Sequence, residues 1–166
     1  MSLRIETFNS TSTKTLKERL QISDSDVLMA QEHGVLLADK KDFEHWCMLR
    51  GWKVLLHPAI SMAHGSTSCG VAIFAREVYG LRPSAAMSTL PLSEKPRLQR
   101  AFLDVPGWQP VGLTTVYLRT GEGMSSGNQA TLAQLGRLVS ERQSSVEITA
   151  GDWNMDAALL AKSGII

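Results

Sequence analysis

Thr149-Ala150-Gly151-Asp152-Trp153-Asn154 is the stretch whose reading decides the fold. The strand-like run Val146-Glu147-Ile148-Thr149 delivers an acid, an aromatic ring and an amide to one point. Side chains alternate along a strand, so Asp152 and Asn154 are expected to share a face. An anion beside a neutral amide at a sheet edge is an arrangement suited to a metal–phosphate site. The chain ends soon afterwards, at Ile166.

Working outward, strands and helices alternate. Leu3 to Asn9 reads as a strand with Leu3, Ile5 and Thr7 on one face and Phe8 on the other. Ser10 to Thr13 reads as a turn, Lys14 to Leu20 as a short helix, and Asp26 to Gln31 as an apolar strand covered on both faces. Asp39 to Arg50 has Phe43, Trp46 and Cys47 at helical spacing, with Gly51 as its stop. Lys53 to His57 is a strand, Met62 to Ser68 a flexible loop, and Cys69 to Ala75 a strand. Residues 80–96, with three prolines, read as an irregular connection. Arg97 to Val105 and Val111 to Leu118 form a hairpin pair. Ser126 to Arg142 is the longest helix, with a capping box from Ser126 and Gln129 and a stripe of Leu132, Leu135, Leu138 and Val139. A helix over Asp156 to Lys162 follows, ended by Ser163-Gly164. The order β-α-β-α-β-β-β-β-α-β-α predicts an α/β layered arrangement with a mixed sheet or two packed sheets.

At 166 residues this is one domain with room for a real core. No run reaches the roughly 18 apolar residues of a membrane span, and Met1 to Glu6 lacks the apolar core of a signal peptide. A net charge of +1 supplies no field argument for or against a nucleic-acid partner. Cys47 and Cys69 lack metal-motif spacing, and two thiols suit a reducing compartment, so an intracellular location, cytoplasm or nucleus, is expected.

Three strand exits carry polar groups: Thr7-Phe8-Asn9, Ala30-Gln31-Glu32 and Gly151-Asp152-Trp153-Asn154. Each alone reads equally as turn chemistry, a solvated strand end or a helix cap. Together with Ser68 to Arg76 and Thr115-Val116-Tyr117-Leu118, and in this order, they resemble the endonuclease/exonuclease/phosphatase superfamily, which includes the DNase I-like nucleases and abasic-site endonucleases. The resemblance runs from Ile5 to Asn154.

It implies a layered β-sandwich flanked by helices (DNase I-like) and a hydrolase of phosphate esters that uses Mg²⁺ or Mn²⁺. Glu32 would be the main metal ligand and Asn9 would assist. Asp152 would orient or deprotonate the attacking water. Asn154 would donate to the phosphate, and Tyr117 matches a phosphate-contacting tyrosine of the abasic-site branch. Arg76, after its strand, could meet a phosphate. His64 is a weaker loop candidate; His33, His45 and His57 read as structural. The family completes its site with an Asp-His pair on a later strand, and this sequence has no histidine after His64. Residues 1–166 are therefore expected to form a partial domain lacking the C-terminal third, with catalysis impaired and a partner or oligomer covering the incomplete core. The resemblance implies a nucleic acid or another phosphoester as substrate, leaving three readings open. These are a nuclease, a phosphatase on small or lipid phosphates, and a catalytically dead module that binds a partner or nucleic acid.

Overall fold

Strand alternation explains how the layers form. The computed structural model describes residues 2–140, 144, 146–162 and 164. Strand β2, Val27–Gln31, is buried throughout. Its Leu28 and Ala30 face one way, into a cluster with Leu16 and Leu20 of helix α1 (Thr13–Ile22) and with Phe43 and Cys47 of helix α2 (Lys40–Met48). Its Val27 and Met29 face the other way, into a cluster shared with a second sheet. The first sheet has the order β1-β2-β6-β3, with β1 Ile5–Asn9, β3 Trp52–His57 and β6 Val71–Arg76. β1 and β2 are parallel; β2–β6 and β6–β3 are antiparallel.

The second sheet has the order β10-β9-β8-β7, with β7 Gly80–Pro83, β8 Leu98–Asp104, β9 Val111–Tyr117 and β10 Val146–Asp152. Ala101, Leu103, Val111, Leu113, Ile148 and Ala150 meet the first sheet. On the outer face, Leu98, Val116 and Leu118 pack under Leu132, Leu135 and Leu138 of α3 (Ser126–Ser140) and Leu160 of α4 (Ala157–Lys162). The result is four layers, α/β/β/α, as the layered reading anticipates. Among the described residues β1 and β10 are outer strands of their sheets.

The sequence reading is corrected in several places. The proline-bearing connection holds a strand, β7, paired with β8, followed by the 3-10 turns Ala85–Thr89 and Lys95–Arg97. An edge strand tolerates proline because one row of its backbone groups needs no partner. The 62–68 loop carries a 3-10 turn and closes a two-stranded ribbon, β4 (Ile60–Ser61) with β5 (Thr67–Ser68). The cap of α3 is Ser125: its Oγ accepts from Asn128 N–H at 3.2 Å, while Gln129 Nε2 donates to the Met124 carbonyl at 2.8 Å. The N-cap thus lies one residue earlier than expected, and Gln129 donates to a carbonyl instead of accepting from the cap N–H as a capping box requires. The last residues expected in that helix, and Ser163 beyond α4, lie outside the described residues. Both cysteines are unpaired and buried, and burial pushes the Cys47 thiol up to about 12. Among the described residues no helix is long and apolar enough to cross a membrane.

β10 runs three residues past its expected end and pairs in parallel with β9, Asp152 lying opposite Tyr117. Gly151 permits this. A Cβ there would lie 2.0 Å from the Val116 carbonyl oxygen, which belongs to backbone and cannot swing aside. Gly151→Ala is expected to lower unfolding stability by about 1–3 kcal/mol or more, as overpacking does. Urea denaturation measures it, and an unchanged midpoint would contradict the close approach of β9 and β10.

Candidate active site

The residues that alternation sends between the two sheets turn polar at one edge of the sandwich. In β1 the series is Ile5, Thr7, Asn9; in β2 it is Val27, Met29, Gln31. In β9 it is Val111, Leu113, Thr115, Tyr117, and in β10 it is Ile148, Ala150, Asp152. Each begins in the core between the sheets and ends in a hydrogen-bonding group. Gln31 Nε2 donates across the sandwich to Thr115 Oγ1 at 2.8 Å, and within its own sheet to Thr7 Oγ1 at 3.3 Å. The same edge holds the sequence-predicted candidates.

Asn9 is the hub. Its Nδ2 donates to Glu32 Oε2 at 2.9 Å and to Asp152 Oδ2 at 2.6 Å. Thr11 N–H donates to Asn9 Oδ1 at 3.2 Å and so turns the amide nitrogen toward the two acids. The Tyr117 hydroxyl donates to the other oxygen of Glu32. Tyr117 is buried, and burial first, then this hydrogen bond, pushes its phenol up to about 12, so it remains a donor at neutral pH. Asn9, Glu32, Tyr117 and Asp152, from four strand ends on two sheets, therefore meet.

Glu32 breaks the parity. It follows Gln31 and would face away if β2 continued, but its φ of +54° re-aims it. Thr11 (+53°) and Asn154 (+46°) are also left-handed. Non-glycine residues in that region carry strain of about 1–3 kcal/mol, and strain of this kind gathers at functional sites. The φ of Asn154 corrects the expectation that it shares a strand face with Asp152: extended alternation stops at Asp152. Asn154 instead donates Nδ2 to the Leu118 carbonyl at 2.9 Å, and its backbone N–H donates to Asp152 Oδ1 at 3.2 Å. It buttresses Asp152, with a second amide hydrogen still to give. Trp153 packs into the outer cluster beneath α3.

Arg76 is not brought to this site. β6 runs antiparallel to β2, so Arg76 lies beside the start of β2, at the opposite edge from Glu32. Its guanidinium donates to the Ser25 carbonyl at 3.2 Å and to the Ser23 carbonyl, and it stacks 3.8 Å from the Trp52 ring centre. Strand direction, invisible in a local motif, is the physical reason. A cation that does lie beside Tyr117 is Arg97, half-buried, 5.4 Å from the centre of its ring. Its Nη1 is buried with no hydrogen-bond partner. The only signal for it in the sequence is an arginine just before an apolar strand, Pro96-Arg97-Leu98. The His64 side chain lies outside the described residues.

The ligand atoms that converge are the oxygens of two carboxylates, Glu32 and Asp152, bridged by the Asn9 amide nitrogen, while the Asn9 oxygen is turned to Thr11 N–H. That set suits a hard divalent cation such as Mg²⁺, which takes one or two protein carboxylates and completes its shell with water and substrate. Among the described residues no group of three or more His, Cys, Asp or Glu is placed to hold a metal. No described imidazole joins the cluster either. His33, next to Glu32, is fully buried; its Nδ1 accepts from Val35 N–H at 3.0 Å and its Nε2 donates to the His57 carbonyl at 3.1 Å. Gly70 packs so closely on this ring that an added Cβ would lie 2.8 Å from Cε1.

No protein-family profile and no curated protein matches this sequence. Solved structures do match it. An AP endonuclease from Leishmania major aligns over 90% of this chain and 54% of its own, at a TM-score of 0.59 and 20% identity. A 3′ phosphatase from Neisseria bound to product DNA hairpin aligns over 92% and 58%, at 0.62 and 21%. An endonuclease/exonuclease/phosphatase family protein from Leptotrichia buccalis aligns over 98% and 75%, at 0.63 and 16%. The chain is thus an α/β sandwich with an acid–amide cluster at one edge. Its fold is the DNase I-like sandwich that these solved structures share. It spans little more than half the length of the first two of these proteins.

Two imidazoles, His33 fully buried and His57 half-buried, give a pH dependence. Burial pushes His33 and His57 down to about 4, with Lys95 and Lys40 adding to the effect at His57. The unfolded rings titrate near 6.5, so folding holds them neutral. Their stabilisation is complete above about pH 6.5 and is lost as pH falls toward 4. Unfolding free energy measured by urea titration is expected to decline already between pH 6.5 and 5, above the ordinary carboxylate range, and His57→Gln is expected to make that decline shallower. A flat profile down to pH 5 would contradict it.

Proposed function

We propose that this chain is a divalent-metal-dependent phosphoester hydrolase of the nuclease branch, acting on a nucleic-acid phosphodiester. The observation that carries the reading is the single Asn9 amide donating to both Glu32 and Asp152, with Tyr117 on the far oxygen of Glu32. Mg²⁺ or Mn²⁺, held by Glu32 with Asn9 beside it, would polarise the phosphoryl oxygen and stabilise charge on the leaving oxygen. Asp152 accepts a proton from the attacking water or orients it, held in place by Asn9 and by the Asn154 backbone. The unpartnered Arg97 Nη1 and the second amide hydrogen of Asn154 are donors available to a phosphate, while the Tyr117 hydroxyl gives its one hydrogen to Glu32. The DNA-bound neighbour and the AP endonuclease neighbour support a nucleic-acid substrate.

Without an imidazole in the described cluster, acid–base help rests on Asp152, and the rate is expected to lack the roughly 10²–10⁴-fold that a well-placed second group supplies. The 3′ phosphatase neighbour supports phosphomonoester cleavage as the second reading.

Mg²⁺-dependent cleavage of plasmid DNA and abasic-site DNA is the test. Glu32→Ala and Asp152→Ala are each expected to abolish it while leaving the protein folded. Phosphate release from monoesters alone would select the second reading, and a well-folded protein with no turnover on any phosphoester would overturn both. Tyr117→Phe is expected to lower kcat about 10-fold or more, since it removes one charge-assisted donor; an unchanged kcat would remove Tyr117 from the site.

A further inference from the structure

A cavity opens at the same edge of the sandwich, away from the Asn9 cluster. It has a volume of about 650 Å³ and is lined by His57, Ser84, Met87 and Lys95, among others. His57 is the last residue of β3, and Ser84 follows the last residue of β7. Lys95 opens the 3-10 turn that leads into β8. Register places this cavity on one line with the catalytic cluster. In the first sheet His57 pairs with Val71, Val71 with Gln31, and Gln31 with Asn9. Three strand intervals separate Asn9 from His57, about 14 Å at the usual spacing.

The cavity has the chemistry of an anion site. Among the described residues Lys95 has no carboxylate partner: the salt bridge of adjacent Glu94 is to Arg119, and its other oxygen accepts from Thr131. Lys95 and His57 line the cavity together, and the Lys95 charge helps to hold the imidazole neutral. Ser84 is 3% exposed, and its hydroxyl has no hydrogen-bond partner. Buried hydroxyls rarely stay orphaned, because an unmade hydrogen bond costs about 1–3 kcal/mol. The turn Lys95-Pro96-Arg97 is held by Gly70 N–H donating to the Pro96 carbonyl at 2.9 Å. One of its cations lines this cavity and the other lies against Tyr117.

We infer that the Lys95–His57–Ser84 cavity is a second phosphate-binding subsite, which takes a phosphate of a multiply phosphorylated substrate other than the one at the Asn9 cluster. The word substrate rests on the hydrolase reading above; the affinity of the cavity for phosphate does not. A polynucleotide strand offers phosphates at intervals that can span both sites, and Lys95 and Arg97 on one turn follow such a strand. A simple monophosphate reaches one site only.

The test is binding by the full chain in EDTA, so that cleavage plays no part. Fluorescence anisotropy follows a short single-stranded oligodeoxynucleotide, and isothermal titration follows an inositol polyphosphate. For the probe that uses the subsite, Lys95→Ala and Ser84→Ala are each expected to raise Kd about three-fold or more. For the oligonucleotide, Lys95→Ala is also expected to shallow the log–log salt slope by about 0.7. Lys95→Arg restores affinity, and Ser84→Ala leaves Tm unchanged or higher, which a purely structural hydroxyl would not combine with weaker binding. Lys95 dependence seen only with the oligonucleotide names a polynucleotide; seen only with the inositol compound, it names a small polyphosphate. Unchanged Kd for both probes in both variants overturns the inference. Lys95-dependent binding by a protein that cleaves nothing would overturn the hydrolase reading and leave the subsite standing. Glu32-dependent cleavage with Lys95-indifferent binding would do the reverse.

Discussion

The Asn9 amide, shared between Glu32 and Asp152, is the interaction on which the rest of the site depends. Asn9 and Glu32 come from the first sheet and Asp152 from the second. Two carboxylates drawn together repel unless something positive stands between them, and the amide hydrogens supply that positive end. Tyr117 to Glu32 and Gln31 to Thr115 are further bonds across the same edge. The sandwich is therefore closed by hydrophobic packing through its middle and by polar bonds at one rim. That rim is where chemistry on an anion is possible, because the same groups that join the sheets are donors and acceptors of the kind a metal–phosphate site needs.

This division follows from period-two alternation in every strand that contributes. Apolar residues fill the inter-sheet positions until the last one or two of each strand, where polar side chains take over. The core thus fixes the strands, and the strands aim Asn9, Tyr117 and Asp152. Glu32 departs from the pattern and needs a left-handed backbone to join the others. Folding energy from the core offsets that strain, so the residue with the clearest metal-ligand chemistry sits in one of the costlier conformations.

Much of this was readable in the sequence. Val27 to Gln31 could be taken as a doubly covered strand from its composition, and Leu132, Leu135 and Leu138 gave the helix that covers the second sheet. Asn9, Glu32 and Asp152 could be placed at strand exits, and only the ordered family resemblance joined them into a site and added Tyr117. What stayed hidden depends on non-local geometry. Arg76 looked like a site arginine because it ends a strand, yet antiparallel pairing carries it to the other rim. Arg97 looked like the start of a strand, and only the packing of β8 beside β9 sets it against Tyr117. β7 was masked by proline, whose tolerance there depends on its edge position. Asn154 lost the expected strand geometry because β10 ends at Asp152, two residues short of it, and Asn154 itself is left-handed.

The central claim is that the Asn9–Asp152 bond couples the two sheets as it builds the site. A double-mutant cycle on unfolding free energy, with Asn9→Ala, Asp152→Ala and the double variant, measures that coupling directly. The account predicts that the two effects are non-additive by about 0.5–3 kcal/mol, as for residues in direct contact. Effects that add to within about 0.5 kcal/mol would contradict it.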